Sequence, residues 1–218
     1  MDRAYPRETA LLLDTTGGYS AAQAAVISAN LNKLLTDSQI DEKFSFYSLG
    51  AAPGSYYQNA TICNPGDGSD QGELTTDQAR MFAGWQSNFN ARIVSSVNDL
   101  MGRQAAEQSP IMEMIQYVSR QNSLSPPDTP KRLIIVSNMI QKTPEYSQYG
   151  DSLNFSSLAG TAYLNRVQAR LAGVEVGILY VLRPQLLGIQ NRGHIEQFWR
   201  PYVDFSEGRI VSTERISL

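Results

Sequence analysis

Three short apolar runs, at residues 9–14 (T-A-L-L-L-D), 132–136 (R-L-I-I-V) and 174–182, constrain the fold more than any other feature of the chain. Each run is continuous rather than alternating, so each needs cover on both faces, as a strand inside a parallel sheet does. Segments of helical period lie between them. That order implies an α/β domain, a three-layer Rossmann-like arrangement with a mostly parallel central sheet and helices on both faces. The three runs are expected at the centre of the sheet.

Helical spacing is read over 20–35 from Ala24, Ile27, Leu31, Leu34 and Leu35, and over 77–101 from Met81, Trp85, Phe89, Ile93 and Val97. Ser109-Pro110 resembles a helix start, with Ser at the N-cap and Pro where its missing N–H costs nothing. Ile111, Ile115 and Val118 supply the inner face of that helix. Further helices are expected over 157–171, stopped by Gly173, and over 194–205. Residues 43–49 read as a second strand and 208–213 as a last edge strand. The stretch 51–76 is rich in Gly, Pro, Asn, Asp and Ser and has no period, so a long loop insert is expected there within a single domain spanning 1–218.

Composition removes several classes of function. Apolar residues make up 42% and charged residues 18%, the balance of a soluble globular protein. A net charge of −3 without any Lys/Arg cluster gives no case for nucleic acid or for an anionic membrane. Cys63 is the only cysteine and His194 the only histidine, so an internal disulfide, a multi-Cys zinc site and zinc held by several histidines are excluded. Both residues read as packing groups. No apolar stretch approaches membrane-spanning length and the first residues do not resemble a leader, so a cytoplasmic location is the default expectation. The oligomeric state is left open.

The candidate chemistry gathers where the strands end. The first run leads into Asp14-Thr15-Thr16-Gly17-Gly18 and then a helix, a later run leads into Ser137-Asn138-Met139, and Ser109-Pro110 lies between. This layout resembles the von Willebrand factor A domain, including bacterial proteins of that superfamily. The family's metal-ion-dependent adhesion site takes D-x-S-x-S after the first strand, a Thr before a middle helix and an Asp after the fourth strand. The resemblance implies Asp14 as the first Asp, Thr16 for the first Ser, Ser109 for the Thr and Asn138 for the final Asp. Gly18 stands where the second Ser belongs, with Ser20 available to bend in. The implied site is therefore degenerate. Magnesium prefers hard oxygen ligands with one or two carboxylates, so binding is expected to be weak or absent. A turn of this composition also has a plainer use, as a cap for the helix that follows.

The resemblance implies a non-enzymatic module for a protein partner, which would dock at the crevice formed by the carboxyl ends of the strands. Arg183, at the end of the third run, is a second candidate there. It could pair with Asp14 and supply fixed charge where relatives use a cation, or it could receive a partner's carboxylate. The loop tyrosines Tyr56, Tyr57, Tyr146 and Tyr149 are candidate contact residues or lids over core, and the loop 141–154 would frame the same face. The alternative is a hydrolase or phosphotransfer enzyme using Asp14. An Asp after a buried strand also begins the D-x-D-x-T motif of haloacid-dehalogenase-like enzymes, but Thr16 fills the second acid's place. Neither G-x-x-x-x-G-K-[ST] nor G-x-S-x-G occurs.

Overall fold

A computed structural model describes residues 5–49, 56–69, 77–102, 107–122, 128–150, 153–190 and 192–217. In chain order the elements are β1 (Glu8–Leu13), α1 (Ala21–Thr36), β2 (Lys43–Leu49), β3 (Tyr56–Cys63), α2 (Gln78–Trp85), α3 (Ala91–Met101), α4 (Ile111–Asn122), β4 (Lys131–Ser137), α5 (Ala162–Val167), β5 (Val174–Val181), α6 (Arg192–His194), α7 (Arg200–Phe205) and β6 (Arg209–Ile216). A π turn at Gln86–Asn90 joins α2 to α3, and another at Ile195–Trp199 joins α6 to α7.

The six strands form one sheet in the order β3-β2-β1-β4-β5-β6. All neighbours are parallel except β3, which runs antiparallel to β2. The three apolar runs are therefore interior strands, β1, β4 and β5. All six residues of β1 are buried, as a strand covered on both faces must be.

Alternation along the strands divides the core into two layers. Ala10, Leu12, Leu133, Ile135, Val176 and Ile178 face α4, α5 and the Phe198–Trp199–Tyr202 cluster. Leu11, Leu13, Phe44, Phe46 and Val136 face α1 and the α2–α3 helix through Ile27, Leu31, Leu35, Trp85, Phe89, Ile93 and Val97. From Trp85 onward the stripe read over 77–101 is thus one buried face, although the helix that carries it contains a π turn, while Met81 at its start is only half-buried. At the opposite end of the sheet from the crevice, the fully buried Glu42 carboxylate receives Arg7, Arg132 and Thr9. Among the described residues no helix is long and apolar enough to cross a membrane.

Two expectations about elements are corrected. The stretch 51–76 is not all loop, because Tyr56–Cys63 pairs with β2 as an edge strand. An edge strand is largely exposed and carries no apolar period to read. The remainder at 51–55 and 70–76 lies outside the described residues, as do the side chains of Tyr56 and Tyr57. The helix expected over 157–171 shrinks to Ala162–Val167. Gly160 adopts φ 76° and Thr161 caps the helix, while Gln168 turns to ψ 124° and ends it.

Candidate functional site

Strand order reverses at β1 and β4: the loop after β1 leads toward β2 on one side, while β4 lies on the other. Such a switch point opens a crevice at the carboxyl ends of the strands. Asp14 follows β1 directly and is 5% exposed. Its backbone N–H continues the ladder to the Val136 carbonyl at 2.9 Å, which fixes the side chain at the crevice floor.

Four donors meet the Asp14 carboxylate. Oδ1 accepts the Thr16 backbone N–H at 3.0 Å and the Thr16 hydroxyl at 2.6 Å. Oδ2 accepts the Ser137 hydroxyl at 2.6 Å and the Ser109 hydroxyl at 3.3 Å. Three of the residues picked out by the sequence, Asp14, Thr16 and Ser109, are thus brought together. Ser137 belongs with them and was missed as a site residue. It opens the Ser137-Asn138-Met139 turn, and a hydroxyl at the end of a buried strand is the signal that marks it.

Ser109 does not use its side chain as a helix cap. Its backbone pairs with Lys142, and its hydroxyl goes to Asp14. Gln141 does the capping instead, accepting the Met112 N–H on Oε1 at 3.0 Å. Ser20, by contrast, is a cap and not a substitute ligand. Its hydroxyl accepts the Gln23 N–H at 3.1 Å, and the Gln23 side chain accepts the Ser20 N–H at 3.2 Å, a reciprocal capping box for α1.

Asn138 reaches the rim with its amide turned inward. Oδ1 accepts the Ile140 N–H at 2.8 Å. Met139, next in the turn, adopts φ 57° and is held by Ser137 Oγ on its N–H and by Trp199 Nε1 on its carbonyl.

Arg183 lies at the end of β5, two strands from β1, as expected. It is not paired with Asp14. Its Nη2 donates to the Gly18 carbonyl and its Nη1 to Gln23 Oε1 at 3.3 Å, with the guanidinium 5.6 Å from the Tyr19 ring centroid. A backbone carbonyl as partner leaves no mark in residue types. Two glycines permit this arrangement for different reasons. Gly18 has φ 61° with nothing near its missing Cβ, so conformation requires it. At Gly17 space is the reason, because a Cβ there would stand 3.2 Å from Arg183 Nη2.

Tyr19 is a second residue that was missed. Its hydroxyl donates to the Asp14 carbonyl and lies 3.3 Å from the Val136 carbonyl, bridging β1 and β4. Burial, and then the charge of Asp14, raise its pKa well above the usual phenol value. Gln190 is a third. It is fully buried, accepts the Arg183 N–H at 2.8 Å, and donates to the Asn138 and Val181 carbonyls, both at 2.9 Å.

The tyrosines separate. Tyr146 is core, stacked on Phe198 at 5.7 Å, and so is corrected from contact residue to packing residue. Tyr149 is 53% exposed, with Lys142 Nζ 5.9 Å from its ring centroid. Burial and the nearby Asp14 charge raise its pKa, while Arg183 opposes them, so its phenol lies within the field of both. His194 is buried between the Tyr180 hydroxyl at 2.7 Å and Gln148 Oε1 at 3.1 Å. Burial pushes its pKa down to about 4.

No family model matches the chain. No curated protein matches it either. Among solved structures it is similar to the conserved hypothetical protein BatB from Bacteroides thetaiotaomicron, with 13% identity and a TM-score of 0.44, covering 97% of this chain and 90% of that one. It is also similar to the ArnB paralog VWA2 from Sulfolobus acidocaldarius, with 10% identity and a TM-score of 0.43, covering 82% of this chain and 36% of that one. A third is the manganese-loaded TRAP protein of Plasmodium vivax, with 13% identity and a TM-score of 0.40, covering 91% of this chain and 62% of that one. The chain thus spans less than two thirds of the second and third. On its own topology, a parallel sheet reversing at β1 and β4, an antiparallel β3 edge and helices on both faces, the chain has a von Willebrand factor A-like fold.

Proposed function

We propose that this chain is a non-enzymatic protein-interaction module of von Willebrand factor A type, whose partner docks on the crevice at the carboxyl ends of β1, β4 and β5. The observation that carries the reading is Asp14, held by four donors at the switch point of the sheet. Ligands of open α/β sheets bind in that place. Both oxygens of the Asp14 carboxylate accept hydrogen bonds, which holds its position fixed. The chain's one imidazole, His194, is committed to Tyr180 and Gln148 and is neutral near pH 7. The exposed Tyr149 beside the mouth is a residue type favoured at interfaces. In this reading magnesium is weakly held or absent without the partner.

The test is affinity capture with the parent protein, Asp14→Ala and Asp204→Ala, the last an exposed position on α7, after circular dichroism shows that each is folded. The expected result is a partner retained by the parent and by Asp204→Ala and lost with Asp14→Ala. Equal retention by Asp14→Ala would sink the docking reading. Turnover of a phosphate or carboxylate ester that disappears with Asp14→Ala would replace it with the hydrolase or phosphotransfer alternative.

A further inference from the structure

We infer that Arg183, not a divalent metal, is the cation of this crevice, and that with Asn138 it forms a site for a carboxylate carried by the docking partner. The inference rests on the docking reading above and adds the chemistry of what docks.

The residues present do not fit the magnesium that the fold family implies. A hard cation needs acceptor oxygens turned to one point, with carboxylate charge among them. Asp14 is the only carboxylate among the residues that meet at the crevice floor. The Ser137 hydroxyl, which donates to Asp14, also has the Met139 N–H on its oxygen. The decisive group is Asn138. An amide's oxygen and nitrogen are ordinarily hard to tell apart, but a backbone N–H can meet only the oxygen. Because Ile140 N–H takes Oδ1, the NH2 is the end that faces Gly17, 3.4 Å from where that residue would carry Cβ. A cation ligand has become a donor. The Arg183 guanidinium flanks the same point at 3.2 Å and repels a divalent ion there.

The same geometry suits an anion. Of the five guanidinium N–H groups, one Nη2 hydrogen goes to the Gly18 carbonyl and one Nη1 hydrogen to Gln23. Nε is buried without a partner. One hydrogen on each Nη is left, and Nη2 flanks the same point beside Gly17 as the Asn138 amide nitrogen. Two N–H groups in a plane match the two oxygens of a carboxylate, which makes Arg the side chain of choice for that group. The donors are also held in place before any ligand arrives. Gln190, with no exposure, ties the Arg183 N–H to the Asn138 carbonyl through its two amide ends, and Tyr19 backs the guanidinium. A site ordered in advance loses less entropy on binding.

The probe is sodium acetate, titrated at constant ionic strength against sodium chloride and followed by the NMR signals of Arg183 Nε–H and Asn138 Nδ2–H2. Magnesium chloride is titrated separately. Acetate is expected to move both signals saturably and magnesium to leave them in place. In Arg183→Met the Asn138 response should weaken roughly tenfold or more. Asn138→Asp should lose the acetate response, since it puts a carboxylate where the donor stood. The inference is overturned by a magnesium response in the parent, by no acetate response there, or by an acetate response that survives Arg183→Met. In the capture assay, loss of the partner with both Asp14→Ala and Arg183→Met supports the inference. Loss with Asp14→Ala alone overturns it while docking stands, and retention by Asp14→Ala overturns docking itself.

Discussion

Asp14 and His194 show two ways in which a single buried polar residue is accommodated. Asp14 keeps its place through donors from three parts of the chain: Thr16, Ser109 and Ser137. A buried polar group without such partners is costly. His194 is matched by only two neighbours, Tyr180 and Gln148. Gln148 Oε1 already accepts the Gln141 N–H, so His194 Nε2 carries the proton and donates to it, leaving Nδ1 to accept from Tyr180. That arrangement holds only for neutral imidazole, and the folded pKa falls from 6.5 to about 4 through burial. The unfolded chain takes up the proton first as pH falls. Stability from this group is therefore complete above about pH 6.5, declines between there and about pH 4, and is level below. The difference amounts to about 3 kcal/mol. Urea unfolding of the parent and of His194→Gln at a series of pH values measures it. The expected outcome is a gap that narrows from pH 7 to pH 4, and a constant gap would mean that His194 titrates normally.

At the scale of elements, the crevice is assembled from element ends rather than from their middles. The N-terminus of α1 is tied to β5 because Gln23, half of the capping box with Ser20, also donates to the Leu182 carbonyl and accepts from Arg183. The turn after β4 is tied to the π turn of the last helix by Trp199 on the Met139 carbonyl. Single π turns are frequently found at functional places in helices, and here one supplies a packing anchor for the rim. Ser20 separates a capping role from a ligand role. Ser20→Ala should cost about 1 kcal/mol of stability and Ser20→Gly only a few tenths. Both should retain the partner as the parent does. Partner loss without a change in stability would make Ser20 a binding residue after all.

Across the whole molecule, two apolar layers share one sheet, and each contains one of the two tryptophans. Trp85 packs with Phe89 in the layer under α1 and α3, and Trp199 packs with Phe198 and Tyr202 in the other. Strands buried on both faces couple the layers, so neither is expected to unfold alone. Single-tryptophan variants, Trp85→Phe and Trp199→Phe, each leave one fluorescent reporter. Both variants will be less stable, since Trp85 Nε1 holds Asn64 and Trp199 Nε1 holds Met139. In each, the fluorescence and far-ultraviolet transitions should coincide, as two-state unfolding requires. A fluorescence midpoint separated from the dichroism midpoint in either variant would mean that one layer opens by itself.

The sequence by itself determined the layers and the ends of the strands. Short continuous apolar runs bounded by turn residues suit interior strands, and an i, i+4 stripe suits one buried helix face; both are properties of a few neighbouring residues. For the same reason the Asp14-Thr16 turn was legible, since its hydrogen bonds span two residues. Tertiary structure alone decided the rest. Strand β3 exists because β2 offers it an edge, and pairing across the sheet leaves no local period. Tyr146 reads as a loop residue until Phe198, far along the chain, covers it. Ser137 reaches Asp14 across 123 positions, and Arg183 finds the Gly18 carbonyl across 165. Asn138 was visible as a residue, but the direction of its amide depends on one backbone N–H in a turn with positive φ at Met139. Whether the crevice faces its ligand with acceptors or with donors was settled by that hydrogen bond, which no spacing of residue types encodes.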